Sequence, residues 1–232
     1  MASRPVVLVH GLWHRPEHFA PLMEALAAEG VGVSAPLLHR GSFDADVAAV
    51  QEAVDASAEP PVLVGHSYGG AVITDVLGAA HLVYLAAFVP DVGESAASLN
   101  GRDGLINTAV RVREDGMTEI VPELADEHLY QDCTPEQRDR ARSLLLPQTA
   151  RSGRGTPTRT AWRSVPSTYV VSADDRAVAP AIQRRMAERC TTVVELDAGH
   201  SAFLSRTADV AAIIAGLAAE AARAGVSPRA PR

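Results

Sequence analysis

Lysine is absent: all 21 basic residues of this 232-residue chain are arginine. No side chain can therefore form a Schiff base or act as the phosphate-binding lysine of a P-loop, so imine catalysis and P-loop ATP hydrolysis are excluded. Aromatic residues are scarce, at 4%, and the core must be filled by small aliphatics, chiefly Ala and Val. Cysteine is limited to Cys133 and Cys190; their spacing fits neither a metal site nor a disulfide framework, and they read as unpaired thiols. A net charge of -7 leaves no concentrated cationic surface, which argues against nucleic acid and anionic membrane as partners. The five-residue apolar run near the N-terminus is too short for a signal-peptide core and no run approaches a membrane span, so a cytoplasmic protein is expected. The Ala- and Arg-rich composition suits a GC-rich bacterial genome.

What is present is an alternation of short apolar runs and amphipathic stretches. Val6 to Val9 is continuously apolar and β-branched, as in a strand buried on both faces of a parallel sheet. A helical pattern follows from Pro16 through Phe19, Leu22, Met23 and Leu26, stopped by Gly30. Val31 to Ala35 reads as a strand, 43 to 57 as a helix with Ser42 as N-cap, Pro61 to Val64 as a strand, Tyr68 to Leu77 as a helix and Leu82 to Val89 as a strand. This order predicts a parallel sheet covered by helices. The alternation lapses over 91–164, where helices are expected only near Pro122 to Tyr130 and Pro135 to Leu146. It resumes with a strand at Ser167 to Val171, a helix near Ala179 to Arg189, a strand at Thr192 to Leu196 and a final helix. The expected organisation is a core of 1–90 and 165–224, an inserted cap of 91–164 and a disordered tail of 225–232.

The densest chemical signal is Gly65-His66-Ser67-Tyr68-Gly69-Gly70, set between an apolar run and a helical one. A Gly-x-Ser-x-Gly turn from strand to helix matches the nucleophile elbow, in which a sharp bend raises a serine above the sheet and the glycines avoid side-chain collisions. Ser67 is then the candidate nucleophile, placed at a helix N-terminus that favours an anion. A serine hydroxyl needs a base, and the base needs an orienting acid. His200, just after the last strand, is the candidate base. Asp175 is the preferred acid, with Asp174 and Asp91 as alternatives at other strand ends. Backbone N–H groups of Tyr68 and Leu12 are the candidate oxyanion donors. His10 and His66 read as structural, and the i, i+4 pair His14 and His18 lacks the carboxylate that a metal site would need.

The segments VLVHGLWH, GHSYGG, LVYLAAFVP, VVSADDRAVAPAIQ and ELDAGHSAFLSR together resemble the small α/β-hydrolases that include plant methyl-salicylate-type esterases, hydroxynitrile lyases and bacterial EstC-like or pyrethroid-hydrolase-like carboxylesterases. The resemblance covers nearly all of the core and little of the cap. It implies the α/β-hydrolase fold, a mostly parallel sheet of about six strands flanked by helices with an inserted helical cap. It also implies Ser67, His200 and Asp175 as the triad, the aspartate standing eight residues before Gln183, and Leu12 and Tyr68 at the oxyanion positions. The lyases place a threonine at the position of Gly11 and a lysine at that of Ser201, so ester hydrolysis is favoured over cyanohydrin cleavage.

The resulting expectation is a serine carboxylesterase acting on a small, largely apolar ester, with no cofactor and no metal. Trp13, Trp162 and Phe203 are expected in the substrate pocket. A lactone, a thioester or a cyclisation in secondary metabolism would suit the same triad. A non-catalytic ligand receptor on the same fold is the rival from another class. No feature assigns an oligomeric state.

Overall fold

In the computed structural model, which describes residues 3–38, 41–149 and 151–226, strand β1 (Val6–Val9) is buried along its whole length. A 3₁₀ turn at Pro16–Phe19 leads into α1 (Ala20–Ala28), and β2 (Val33–Ser34) follows. Helix α2 (Phe43–Asp55) starts where the Ala45 N–H donates to Ser42 Oγ at 3.2 Å, the expected N-cap. Then come β3 (Val62–His66), α3 (Tyr68–Thr74) and β4 (His81–Leu85). The inserted segment contributes α4 (Ala96–Asn100), β5 (Val110–Val112), β6 (Met117–Ile120), α5 (Pro122–His128), α6 (Pro135–Ser143) and β7 (Gln148–Thr149). The chain closes with β8 (Ser167–Ser172), α7 (Pro180–Ala187), β9 (Thr192–Leu196), α8 (Ala202–Ser205) and α9 (Thr207–Val226).

Six strands form one parallel sheet in the order β2-β1-β3-β4-β8-β9, the expected architecture. Strand side chains point alternately to opposite faces, and both faces are covered. Val6, Leu8, Val62 and Val64 meet Leu22 and Leu26 of α1 and Ile214 of α9 on one side. Val7, Val9, Leu63 and Tyr84 meet Val50, Ile73 and Met186 on the other. A continuous apolar run, rather than an alternating one, is therefore the signature of the inner strand β1 and of the first three residues of β3, while the edge strand β9 is largely exposed.

Three expectations are corrected. The fourth strand ends at Leu85 rather than Val89 because Ala86 takes φ 47°, turning the chain out of the ladder. The inserted segment is not purely helical: β5, β6 and β7 form a separate antiparallel sheet. Helix α9 continues through residues 225 and 226; the rest of the expected tail, 227–232, lies outside the described residues. Among the described residues no helix is long and apolar enough to cross a membrane.

Candidate active site

Ser67 joins β3 to α3 with φ 53° and ψ -121°, a left-handed conformation that a side chain strains to adopt. Its neighbours show why they are glycine. A β-carbon on Gly65 would lie 2.7 Å from the backbone of Gly69 and Gly70; one on Gly69 would run into the carbonyl oxygen of Val9; one on Gly70 would sit 2.5 Å from that of Phe88. The bend is also pinned from outside, since Ser67 N–H donates to Leu85 O at 3.2 Å and Phe88 N–H donates to Ser67 O at 3.1 Å. Gly11, in the loop after β1, approaches so closely that a β-carbon there would be 2.9 Å from Ser67 Cβ.

His200, after β9, is buried, and its Nδ1 donates to Asp175 Oδ2 at 2.8 Å. Asp175, after β8, is held at both oxygens. Ala177 and Val178 N–H donate to Oδ1 at 2.7 and 2.9 Å, and Gln183 Nε2 donates to Oδ2 at 2.7 Å. Gln183 is itself fixed by accepting from Ser172 N–H at 3.0 Å. The two alternative acids lie elsewhere: Asp174 is exposed, and Asp91 pairs with Arg163. Ser67 and His200 line one cavity of about 210 Å³.

Leu12 and Tyr68 line the same cavity. As the first residue of α3, Tyr68 has an N–H without an intrahelical acceptor. Its side chain points away, and its hydroxyl donates to the buried Asp46 at 2.8 Å. Trp13 lines the cavity as expected. It adopts φ 60° and is tied to the inserted segment: its Nε1 donates to Thr118 Oγ1 at 3.2 Å, and Leu146 N–H donates to its carbonyl at 2.9 Å.

Two expected pocket residues are not there. Trp162 donates from Nε1 to Pro90 O at 3.1 Å with Arg163 stacked on its ring. Phe203 packs behind the site against Phe19 and His66, each with ring centroids 4.9 Å away, because α8 turns it toward the apolar core. The residues that do complete the walls, among them Phe88, Ile106, Val110, Leu129 and Val178, are ordinary apolar positions. Of these only Val178 carried a signal, its closeness to Asp175.

His10, His14, His18 and His66 are buried and hydrogen-bonded. His10 Nε2 accepts from Leu38 N–H at 3.1 Å, and His66 Nε2 donates to His200 O at 3.0 Å. Burial, and next the neighbouring His200, hold His66 well below the ordinary imidazole value. Burial, and next His18, do the same for His14, so as a neutral ring it donates from Nδ1 to Leu12 O at 3.0 Å and accepts from Tyr130 OH at 3.0 Å. His18 is pushed down to about 4, chiefly by burial, and its Nε2 donates to Ala141 O at 3.1 Å.

One group of contacts had no counterpart in the sequence reading. The end of α5 and the turn after it grip the loops that carry Asp175 and His200. His128 Nδ1 donates to Arg176 O at 2.8 Å, Gln131 Nε2 to Asp174 O at 2.7 Å, and Gly199 N–H to Asp132 Oδ2 at 2.7 Å.

Comparison with known proteins agrees with this architecture. The model of the alpha/beta hydrolase family matches residues 6–213. The chain is 30% identical to "Alpha/beta hydrolase nvfD" of Aspergillus novofumigatus (strain IBT 16806), over 95% of this chain and 99% of that one. It is 35% identical over 111 residues to a "Carbendazim hydrolyzing esterase" of Nocardioides sp. (strain SG-4G), which is 40% of this chain and 46% of that one. A pyrethroid hydrolase from Sphingobium faniae JZ-2 superposes with TM-score 0.82 at 22% identity, over 96% of this chain and all of that one.

Proposed function

The chain belongs to the alpha/beta hydrolase family, and from that premise we propose that it is a cofactor-independent carboxylic ester hydrolase that works through an acyl-enzyme on Ser67. The observation that carries this reading is the meeting, on one cavity, of a serine in a strained elbow and a histidine hydrogen-bonded to a buried aspartate. With the Nδ1 proton of His200 directed at Asp175, the unprotonated Nε2 is left to act as base.

His200 Nε2 takes the Ser67 Oγ proton as Oγ attacks the ester carbonyl. The oxyanion collects at the N–H groups of Tyr68 and Leu12, a contribution of about 3 kcal/mol for each donor. His200 then returns the proton to the departing alcohol. A water activated by the same imidazole releases the acid. Asp175 orients the ring and stabilises its transient charge throughout. Residues 91–164 act as the cap that excludes bulk water.

The predominantly apolar lining supports a small-molecule substrate with an apolar body, and the esterase of Nocardioides named above supports ester cleavage. The tight approach of Gly11 to Ser67 leaves no room for a side chain at that position, which disfavours the lyase chemistry. A lactone or thioester would pass through the same steps.

The test is the Ser67→Ala variant. The proposal requires kcat/KM for p-nitrophenyl esters to fall at least about a thousandfold while circular dichroism and Tm stay unchanged. Undiminished turnover in a folded variant would refute it.

A further inference from the structure

The cavity wall is mostly apolar; besides His14, Thr149 and a Thr118 hydroxyl engaged by Trp13 and Gln148, its polar groups gather at two places. One is the Ser67 and His200 pair. The other is a rim formed by Asn100, Asn107 and Arg154, and the intervening wall is made by Leu12, Phe88, Ile106 and Val110 among others. Arg154 ends a 3₁₀ turn at Ser152–Arg154 whose Gly153 stands against the Leu12 side chain. The rim residues Asn100, Asn107 and Arg154 also border an open surface depression that contains Arg102. The rim is therefore where the cavity meets solvent.

Several arginines of the chain are paired with carboxylates: Arg142 with Asp126 and Asp139, Arg159 with Asp75, and Arg163 with Asp91. Arg154 is exposed and has no carboxylate partner among the described residues, and the same holds for Arg102. In a chain of net charge -7 this leaves a cationic rim on a mostly apolar cavity. A guanidinium in that position binds a carboxylate through paired N–H groups and repels a cation. The amide of Asn107 is engaged at Gly101 O and Arg102 O, which holds the rim in shape.

We infer that the substrate is an ester whose apolar body ends in a carboxylate, and that Arg154 is the residue that selects for it. This deepens the esterase reading and rests on it. The chemistry is unchanged: water is consumed, the C–O bond of the ester breaks, an alcohol leaves, and the remote carboxylate stays intact.

The experiment compares kcat/KM for mono-p-nitrophenyl adipate and for p-nitrophenyl hexanoate, its neutral counterpart, in the wild type, Arg154→Gln and Arg151→Gln. A second pair carries the carboxylate on the alcohol side of an acetate ester, against the uncharged analogue. In at least one pair the wild type prefers the anion. There Arg154→Gln lowers the anion-to-neutral ratio about fivefold, the size of one partly solvated ion pair, and Arg151→Gln leaves the ratio alone. The preference also shrinks as salt is raised. Turnover of neutral esters with a ratio indifferent to Arg154 in both pairs would overturn the inference and leave the esterase reading standing. No turnover of any ester, with no phosphonate adduct on Ser67, would overturn that reading itself.

Discussion

Two regions hold Ser67 and His200 in place, and they do so by different physics. Below the cavity, the β3–α3 bend is determined by steric exclusion: Gly65, Gly69 and Gly70 have no room for one more carbon, and Gly11 has almost none. Above and beside it, the inserted segment works by reach, with Gln131, Asp132 and His128 bridging to residues 43 to 67 positions away in the chain. Exclusion tolerates no substitution but needs no partner. Reach tolerates changes in either partner and is worth only its hydrogen bonds.

That contrast is open to attack by mutation. Gly69→Ala should show the largest effect, because its β-carbon would be driven into backbone that cannot rotate away. A loss of about 3 kcal/mol is expected, lowering Tm by roughly 6–12 °C for a chain of this size. A thermal melt unchanged from wild type would mean that the bend can relax.

The seam between the two regions should respond to acid. His14 meets Tyr130 and His18 meets Ala141, both across to the inserted segment. Burial lowers the folded value of His18 to about 4, below its ordinary value, and lowers those of His14 and His66. The unfolded chain therefore takes up these protons first. Stability is unaffected above about pH 6.5 and is lost as pH falls from there to about 4, by roughly 3 kcal/mol in full for His18. Glu17, whose side chain is held at about 2 chiefly by its hydrogen bond to Arg15, begins to lose its contribution only below about pH 4.5. The urea midpoint should drop between pH 7.5 and pH 5 with m unchanged; an equal or higher midpoint at pH 5 would contradict the assignment of neutral buried histidines.

Asp132→Ala should have the smallest effect. It releases Gly199, next to His200, and Ser205 Oγ, which donates to the same oxygen at 2.6 Å. A decrease in kcat of about tenfold with little change in KM is expected, together with about 1 kcal/mol of stability, and Asp132→Asn should recover most of both because its amide oxygen still accepts. Unaltered kcat in the alanine variant would confine the role of the inserted segment to walling the cavity.

Legibility in the sequence follows the same division. GHSYGG could be read because the steric demand falls on adjacent residues, and the parallel sheet because strands buried on both faces are apolar without interruption. Asp175 and Asp174 differ by one position in sequence, yet in the fold one is enclosed by Ala177, Val178 and Gln183 and the other is exposed. Only the loop geometry after β8 separates them. The sheet of the inserted segment escaped notice because β7 has two residues, and its link to β6 joins Thr118 to Gln148, thirty positions apart. Trp162 and Phe203 were placed by residue type alone, and type does not say which way an aromatic ring turns.

The most direct test of the central claim is intact-protein mass spectrometry after addition of a fluorophosphonate to the wild type and to Ser67→Ala. A Ser67 activated by His200 and Asp175 should give one adduct in the wild type and none in the variant. A folded wild type that stays unlabelled, or a variant that labels equally, would contradict it.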